Sequence, residues 1–188
     1  MPSVTEITAQ QLSRLVGLPT APAIIDVRTE EDYAGDPRLI PGSRRRDFRT
    51  AQSWASEYQG QNVIAVCRKG RKLSQGAAAW MRHERIDAQT LEGGFEAWKG
   101  AGQMLVRTEK LPDRDEHGRT VWVTRARPKV DRIACPWLIR RFVDPGAVFL
   151  FVAPAEVAPV AERFNATPFD IDGVFWSHRG ETCTFDTM

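Results

Sequence analysis

The 188-residue sequence has no long hydrophobic run, few cysteines and no excess of charge of either sign. No stretch approaches the ~18 consecutive apolar residues of a membrane-spanning helix, which argues against a membrane span or a membrane partner. The opening MPSVTEITAQQLSRL lacks a basic stretch followed by an apolar run, so no secretory signal is visible and a cytoplasmic location is expected. The three cysteines, Cys67, Cys135 and Cys183, lie far apart and cannot all pair, which fits reduced thiols. Lys and Arg number 26 against 24 Asp and Glu. Residues 1–106 carry 14 against 12 and the remainder 12 of each, so neither part is a polycation and DNA is not expected as a partner. There is no internal repeat and no low-complexity tract. What is present, 42% hydrophobic and 27% charged residues, is ordinary for a globular protein of one domain or two small ones.

The first part alternates strand and helix signals. Ala23–Val27 and Asn62–Cys67 are short, β-branched and apolar, as buried strands are. Thr50–Tyr58 reads as a helical stretch. Leu73–Glu84 is an alanine-rich helix with Ser74 placed as its N-cap. Ala88–Leu91 reads as a strand, ended by Gly93-Gly94, and Phe95–Lys99 as a short helix. This alternation implies a parallel sheet with helices on both faces. Residues 107–119 are charged and aperiodic and read as a linker. A second, smaller α/β domain follows over 120–188, with strands at Thr120–Thr124, Ala147–Val152 and Thr167–Ile171 and helices at Pro136–Phe142 and Ala155–Phe164.

Chemistry concentrates after the second strand. Cys67 ends that strand, at the edge where α/β sheets bind ligands, and the next five residues include Arg68, Lys69, Arg71 and Lys72. Backbone N–H groups of such a loop can form an anion-binding nest beside a helix N-terminus. Cations there favour thiolate over thiol and hold an oxyanion by charge and hydrogen bonds. The pattern is that of an anionic sulfur nucleophile meeting an anionic substrate. A cysteine phosphatase would need arginine at the sixth position after the cysteine to clamp phosphate. That position is Leu73.

Cys67-Arg68-Lys69-Gly70-Arg71-Lys72 resembles the six-residue active-site loop of rhodanese (sulfurtransferase) domains. Ile25-Asp26-Val27-Arg28 with Glu31-Asp32-Tyr33, the turn Leu39-Ile40-Pro41-Gly42-Ser43 and the string Leu91-Glu92-Gly93-Gly94-Phe95-Glu96-Ala97-Trp98 resemble the family's other motifs, in order, over residues 1–106. Two positions depart from the pattern: Leu39 replaces a common histidine, and Lys72 closes the loop. The resemblance implies a Cys67 persulfide, formed from a thiosulfate-like donor and discharged to a thiol or cyanide, with no cofactor. Arg68, Lys69, Gly70, Arg71 and Lys72 are then expected to bind the substrate, Asp26 to brace the sheet or loop, and Arg28 to stand near the mouth of the site.

In the second part, the string from Arg125 to Phe142 and the string from Phe169 to Glu181 resemble the C-terminal domain of the chromate-resistance protein B family, over residues 120–188. Members of that family often run further, so this domain is expected to be incomplete. Arg125, Arg127, Lys129 and Arg132 are the candidate oxyanion site. His178, Glu181 and Cys183, with Cys135 or Asp131, are a weaker metal alternative, because His-x-x-Glu-x-Cys matches no standard zinc spacing. Cys135 and Asp131 also fit a helix start, with Pro136 in its first turn, and Trp137 and Trp176 are expected in the core. Two functions remain open at this level: a sulfurtransferase in a chromate- or oxyanion-resistance setting, or a non-catalytic sensor binding oxyanion, metal or DNA through the second domain.

Overall fold

A computed structural model describes residues 5–127 and 129–188. The chain forms two compact units, Met1–Glu109 and Lys110–Met188. In chain order the first holds β1 (Glu6–Ile7), α1 (Ala9–Ser13), β2 (Ala23–Asp26), α2 (Glu30–Gly35), β3 (Arg38–Leu39), β4 (Arg44–Arg45), α3 (Ala51–Trp54), β5 (Asn62–Val66), α4 (Lys72–His83), β6 (Asp87–Leu91), α5 (Gly94–Gly100) and β7 (Val106–Arg107). Strands β1, β6, β5, β2 and β4 lie side by side in that order, all parallel.

Strand alternation divides the apolar residues between the two faces of this sheet. Ile25, Val27, Val63, Ala65 and Cys67 point to one side, where they meet Trp54, Tyr58, Ala77, Ala78 and Met81. Ile24, Ile64 and Val66 point to the other, against Leu12, Phe95 and Trp98. Both faces are therefore covered, as a parallel sheet requires. The register sets Ile25 beside Ala65 and Asp26 beside Val66, so the ends of β2 and β5 are level. The expected helix over Thr50–Tyr58 is instead a single α turn, α3, flanked by 3₁₀ turns at Phe48–Thr50 and Ala55–Tyr58.

The stretch 107–119, read as a linker, carries local structure. Val106–Arg107 pair antiparallel with Arg38–Leu39. Further on, Asp115 accepts from the His117 and Arg119 N–H groups and from Arg119 Nε, and Arg114 bridges to Thr120. A side-chain-stabilised turn needs no hydrophobic period, so pattern alone misses it.

The second unit holds β8 (Val121–Arg125), α6 (Val130–Leu138), β9 (Val148–Val152), α7 (Val157–Arg163), β10 (Thr167–Pro168) and α8 (Thr184–Thr187). Its three strands are parallel in the order β10, β8, β9. Trp122 packs edge-on against Phe169 and Trp176, at 6.2 and 6.1 Å between ring centres. Trp176 thus sits in the core as expected, but Trp137 is 51% exposed. Helix α6 also starts earlier than expected. Pro136 lies inside it rather than in its first turn, and a π-helical turn at Ile139–Val143 follows. A proline there lacks the N–H that would bond the carbonyl four residues back, and a change of helical pitch nearby is a common accommodation.

Asp144 ties this unit together. It is fully buried and accepts from Thr120 N–H at 2.6 Å, Thr120 Oγ1 at 2.9 Å and Gly146 N–H at 3.0 Å, with Arg114 Nη1 at 3.2 Å. Burial pushes its pKa up, but Arg114 and these donors outweigh burial and hold it below the usual 3.8. A carboxyl with a depressed folded pKa contributes stability that is complete above its unfolded pKa and lost as pH falls through the folded value. Asp144→Asn is therefore expected to cost about 2 kcal/mol at neutral pH. In urea unfolding curves the gap to the parent should begin to narrow below about pH 4 and shrink further as pH falls through the lower folded value. A pH-independent difference would exclude the ionised carboxylate as its cause.

Candidate active site

Cys67 follows the last residue of β5, and the strand alternation turns its thiol toward α4, where it is 4% exposed. Its Sγ accepts from the Arg71 N–H at 3.3 Å and lies 3.2 Å from Ser74 Oγ. Ser74 is fully buried and its hydroxyl is also 3.1 Å from the Arg71 carbonyl. A hydroxyl carries one proton, so it has two arrangements. Beside a thiol, S–H donates to Ser74 Oγ while the hydroxyl donates to Arg71. Beside a thiolate, the hydroxyl turns and donates to sulfur. Ser74 was expected to be the N-cap of α4. In the structure α4 begins at Lys72, its N-cap is Arg71, and Ser74 lies inside the first turn facing sulfur. The sequence offered one signal for this role: Ser74 lies two residues into a helix that opens directly after the cysteine loop.

Gly93 and Gly94 hold the loop from behind. The Phe95 N–H donates to the Cys67 carbonyl at 2.9 Å and the Glu96 N–H to the Arg68 carbonyl at 3.0 Å. Gly70 and Gly94 both have left-handed backbone, φ +65° and +63°. A Cβ on Gly70 would lie 2.5 Å from the Leu91 carbonyl oxygen. One on Gly94 would collide with the Cys67 carbonyl and the Gly70 nitrogen. Two backbones thus touch where neither can carry a side chain.

Residues 8–101 match the family model of the rhodanese-like domain, half of the chain. The chain belongs to the rhodanese-like family. Residues 122–188 match the model of the ChrB C-terminal domain. Protein ChrB of Cupriavidus metallidurans is 39% identical over 80 residues, 42% of this chain. The match spans about a quarter of that curated relative's length, 24%. Among solved structures, a rhodanese-like domain protein from Staphylococcus aureus is 28% identical with a TM-score of 0.44, over 50% of this chain and 90% of its own. A rhodanese-related protein from Thermoplasma volcanium is 19% identical with a TM-score of 0.47, over 54% and 97%.

Within the rhodanese-like unit the expected site residues separate. Lys69, Arg71 and Lys72 are exposed around the thiol loop. Arg68 is exposed as well, but its guanidinium pairs with carboxylates, with Nη1 3.2 Å from Asp32 and Nε 3.4 Å from Glu96. Asp32 and then Glu96 raise its pKa. Gly70 is buried against Gly93 and Gly94, so its part is to let the loop close. Arg28, expected near the mouth of the site, is buried. It is 3% exposed and its guanidinium holds Asp26 Oδ2 at 2.6 Å, the Asp36 and Arg38 carbonyls at 2.9 and 2.7 Å, and the face of Phe95 at 3.8 Å. Its side chain is buried and each of its three guanidinium nitrogens is hydrogen-bonded, so Asp26 and Arg28 together brace the end of β2. Beyond them, at the ends of β2 and β4, a cavity of about 480 Å³ is lined by Arg28, Glu30, Arg45, Arg46, Asp47 and Arg49, among others.

The oxyanion site expected in the second unit is not assembled. Arg132 is 5% exposed and committed, with Nε 2.8 Å from Asp170 Oδ2 and Nη1 donating to the Ala126 and Arg127 carbonyls at 3.1 and 2.7 Å. Arg125 donates to the Asp170 carbonyl at 2.8 Å. Only Arg127 and Lys129 of the four are exposed. The metal alternative changes membership too. His178 faces Asp131 and Asp170, whereas Glu181 is exposed and Cys183 begins α8 as its N-cap. Cys135 is fully buried, and burial, then Asp131, Asp170 and Cys183, push its thiol up to about 12. A thiol so placed stays protonated and inert.

Proposed function

We propose that this protein is a sulfurtransferase that carries sulfane sulfur on Cys67, in a chromate- or oxyanion-resistance setting. The observation that carries this reading is the sulfur itself, with Arg71 N–H and the Ser74 hydroxyl aimed at it inside a loop whose outer cations Lys69, Arg71 and Lys72 remain exposed. The setting is supported by the likeness of residues 122–188 to the ChrB C-terminal domain.

The Cys67 thiolate attacks the outer sulfur of a thiosulfate-like donor. The bond between the donor's two sulfurs breaks, sulfite leaves with its electron pair, and the outer sulfur stays on Cys67 as a persulfide. A thiolate acceptor, or cyanide, then attacks that terminal sulfur and the Cys67 thiolate departs. Lys69, Arg71 and Lys72 balance the charge of the donor and the departing sulfite. The Arg71 N–H and Ser74 hydroxyl steady whichever sulfur anion is present. With Arg68 engaged by Asp32 and Glu96, its role is to hold the loop.

Intact mass after incubation with thiosulfate tests the reading: one sulfur atom is gained, and the gain maps to Cys67. No added sulfur would leave the protein as a sensor. Ser74→Ala should keep the fold and lower kcat for thiosulfate:cyanide transfer about 10-fold, the value of one hydrogen bond to an anion, with KM little changed. Ser74→Thr, which restores a hydroxyl, should recover part of the loss. An effect on KM alone would assign Ser74 to binding instead.

A further inference from the structure

The ChrB-type unit holds a group of side chains that the Cys67 chemistry does not use. We propose that Asp131, Asp170 and His178 bind a divalent transition-metal cation. Asp131 Oδ2 lies 3.3 Å and Asp170 Oδ1 3.6 Å from His178 Nε2, and the three ligand atoms fall within 4.8 Å of one another. A cation held at about 2.1 Å by nitrogen and oxygen separates neighbouring ligands by about 3.0–3.4 Å in octahedral or tetrahedral geometry. Two of the three edges are already near that length, and the third is no longer than 4.8 Å.

The surroundings orient the carboxylates. Asp170 is 5% exposed and its two oxygens are divided: Oδ2 faces the Arg132 guanidinium at 2.8 Å, while Oδ1 faces His178 and accepts from Thr184 Oγ1 at 2.9 Å. Arg132 is itself buried and held by loop carbonyls, so it fixes the carboxylate as an outer-shell partner does. Asp131 Oδ2 accepts from the Thr184 N–H at 3.1 Å. His178 is different: its side chain is 61% exposed, which leaves one side of the triad open to solvent. Three protein ligands with open positions describe a reactive metal site rather than a closed structural one. One imidazole nitrogen and two carboxylate oxygens suit zinc, manganese or ferrous iron, not the soft ions that thiolates select. Arg132 at 2.8 Å and Arg125 at 3.8 Å offset the charge of Asp170, so the net attraction comes from Asp131 and the affinity is moderate.

The test uses the full chain carrying Cys67→Ser, which removes the reactive thiol, stripped with EDTA and titrated calorimetrically with zinc chloride and, separately, manganese chloride. The expected result is one cation per chain for at least one of the two salts. Binding should weaken about 100-fold in His178→Ala and in Asp131→Asn and stay unchanged in His117→Ala, whose imidazole lies beside Glu116. Both affected side chains lie outside the apolar core, and circular dichroism checks that the variants fold. His178→Lys separates the proposal from a simple ion-pair network: it keeps a cation beside the two carboxylates but removes the imidazole. The bound metal should raise Tm in the parent and not in His178→Lys. Neither salt binding at one per chain, or binding equal in parent, His178→Ala and Asp131→Asn, overturns the proposal. The outcome is independent of whether Cys67 transfers sulfur.

Discussion

Cys67→Ser is expected to abolish sulfur transfer while leaving the protein folded. Thiosulfate:cyanide transfer should fall by about 10⁴-fold or more, the scale seen when an enzyme loses its only nucleophile. The hydroxyl of serine fits the same place and accepts from the same Arg71 N–H, so urea unfolding should change by less than about 1 kcal/mol. Serine carries no sulfur to be persulfidated and is not ionised at neutral pH. Intact mass after thiosulfate should therefore show no added sulfur. A variant that keeps the parent rate would sink the proposed role of Cys67. One that loses both rate and stability would show only that the thiol supports the fold.

The second large effect is expected at Gly94. Alanine there meets two costs at once, a left-handed φ of +63° and a collision with the Cys67 carbonyl and Gly70 nitrogen. Neither neighbour is a flexible side chain that can swing away. We expect Gly94→Ala to destabilise the rhodanese-like unit by about 3 kcal/mol. Because the displaced atoms belong to the thiol loop, transfer should fall even at temperatures where the protein stays folded. Gly76→Ala is the matched control. Gly76 lies in α4 with nothing within 4 Å of an added Cβ, so its substitution should raise stability by about 1 kcal/mol, the helix preference for alanine over glycine. Equal effects at the two glycines would exclude the backbone contact as the cause.

Much of the first unit was legible in its residues. Short β-branched runs such as Asn62–Val66 read as buried strands, being too short for helices, and their alternation with helices implies a parallel sheet covered on both faces. The position of Cys67 at a strand end, followed by cations, follows from sequence alone. So does Gly93-Gly94 as a stop. Isolated strands of two residues, such as β3 and β7, carry no period and were invisible. In the second unit Pro136 misled: proline usually opens a helix, yet α6 runs through it because the preceding turn, with Arg132 and Cys135 buried, packs against the core.

Residue order alone places a cysteine in a cation-rich loop at the end of a strand in a parallel sheet. Which of those cations lack a carboxylate partner depends on how distant segments pack together. Arg68 shares the thiol loop with Lys69 and Arg71, and Arg28 closes the motif of the second strand, but each is engaged by carboxylates or carbonyls, Asp32 and Glu96 in one case, Asp26, Asp36 and Arg38 in the other. The grouping of Asp131, Asp170 and His178 was likewise beyond sequence. Local rules reach three or four residues along a helix and two along a strand, whereas these partners are 39 and 47 positions from Asp131 and meet only because the core around Trp122 and Phe169 closes.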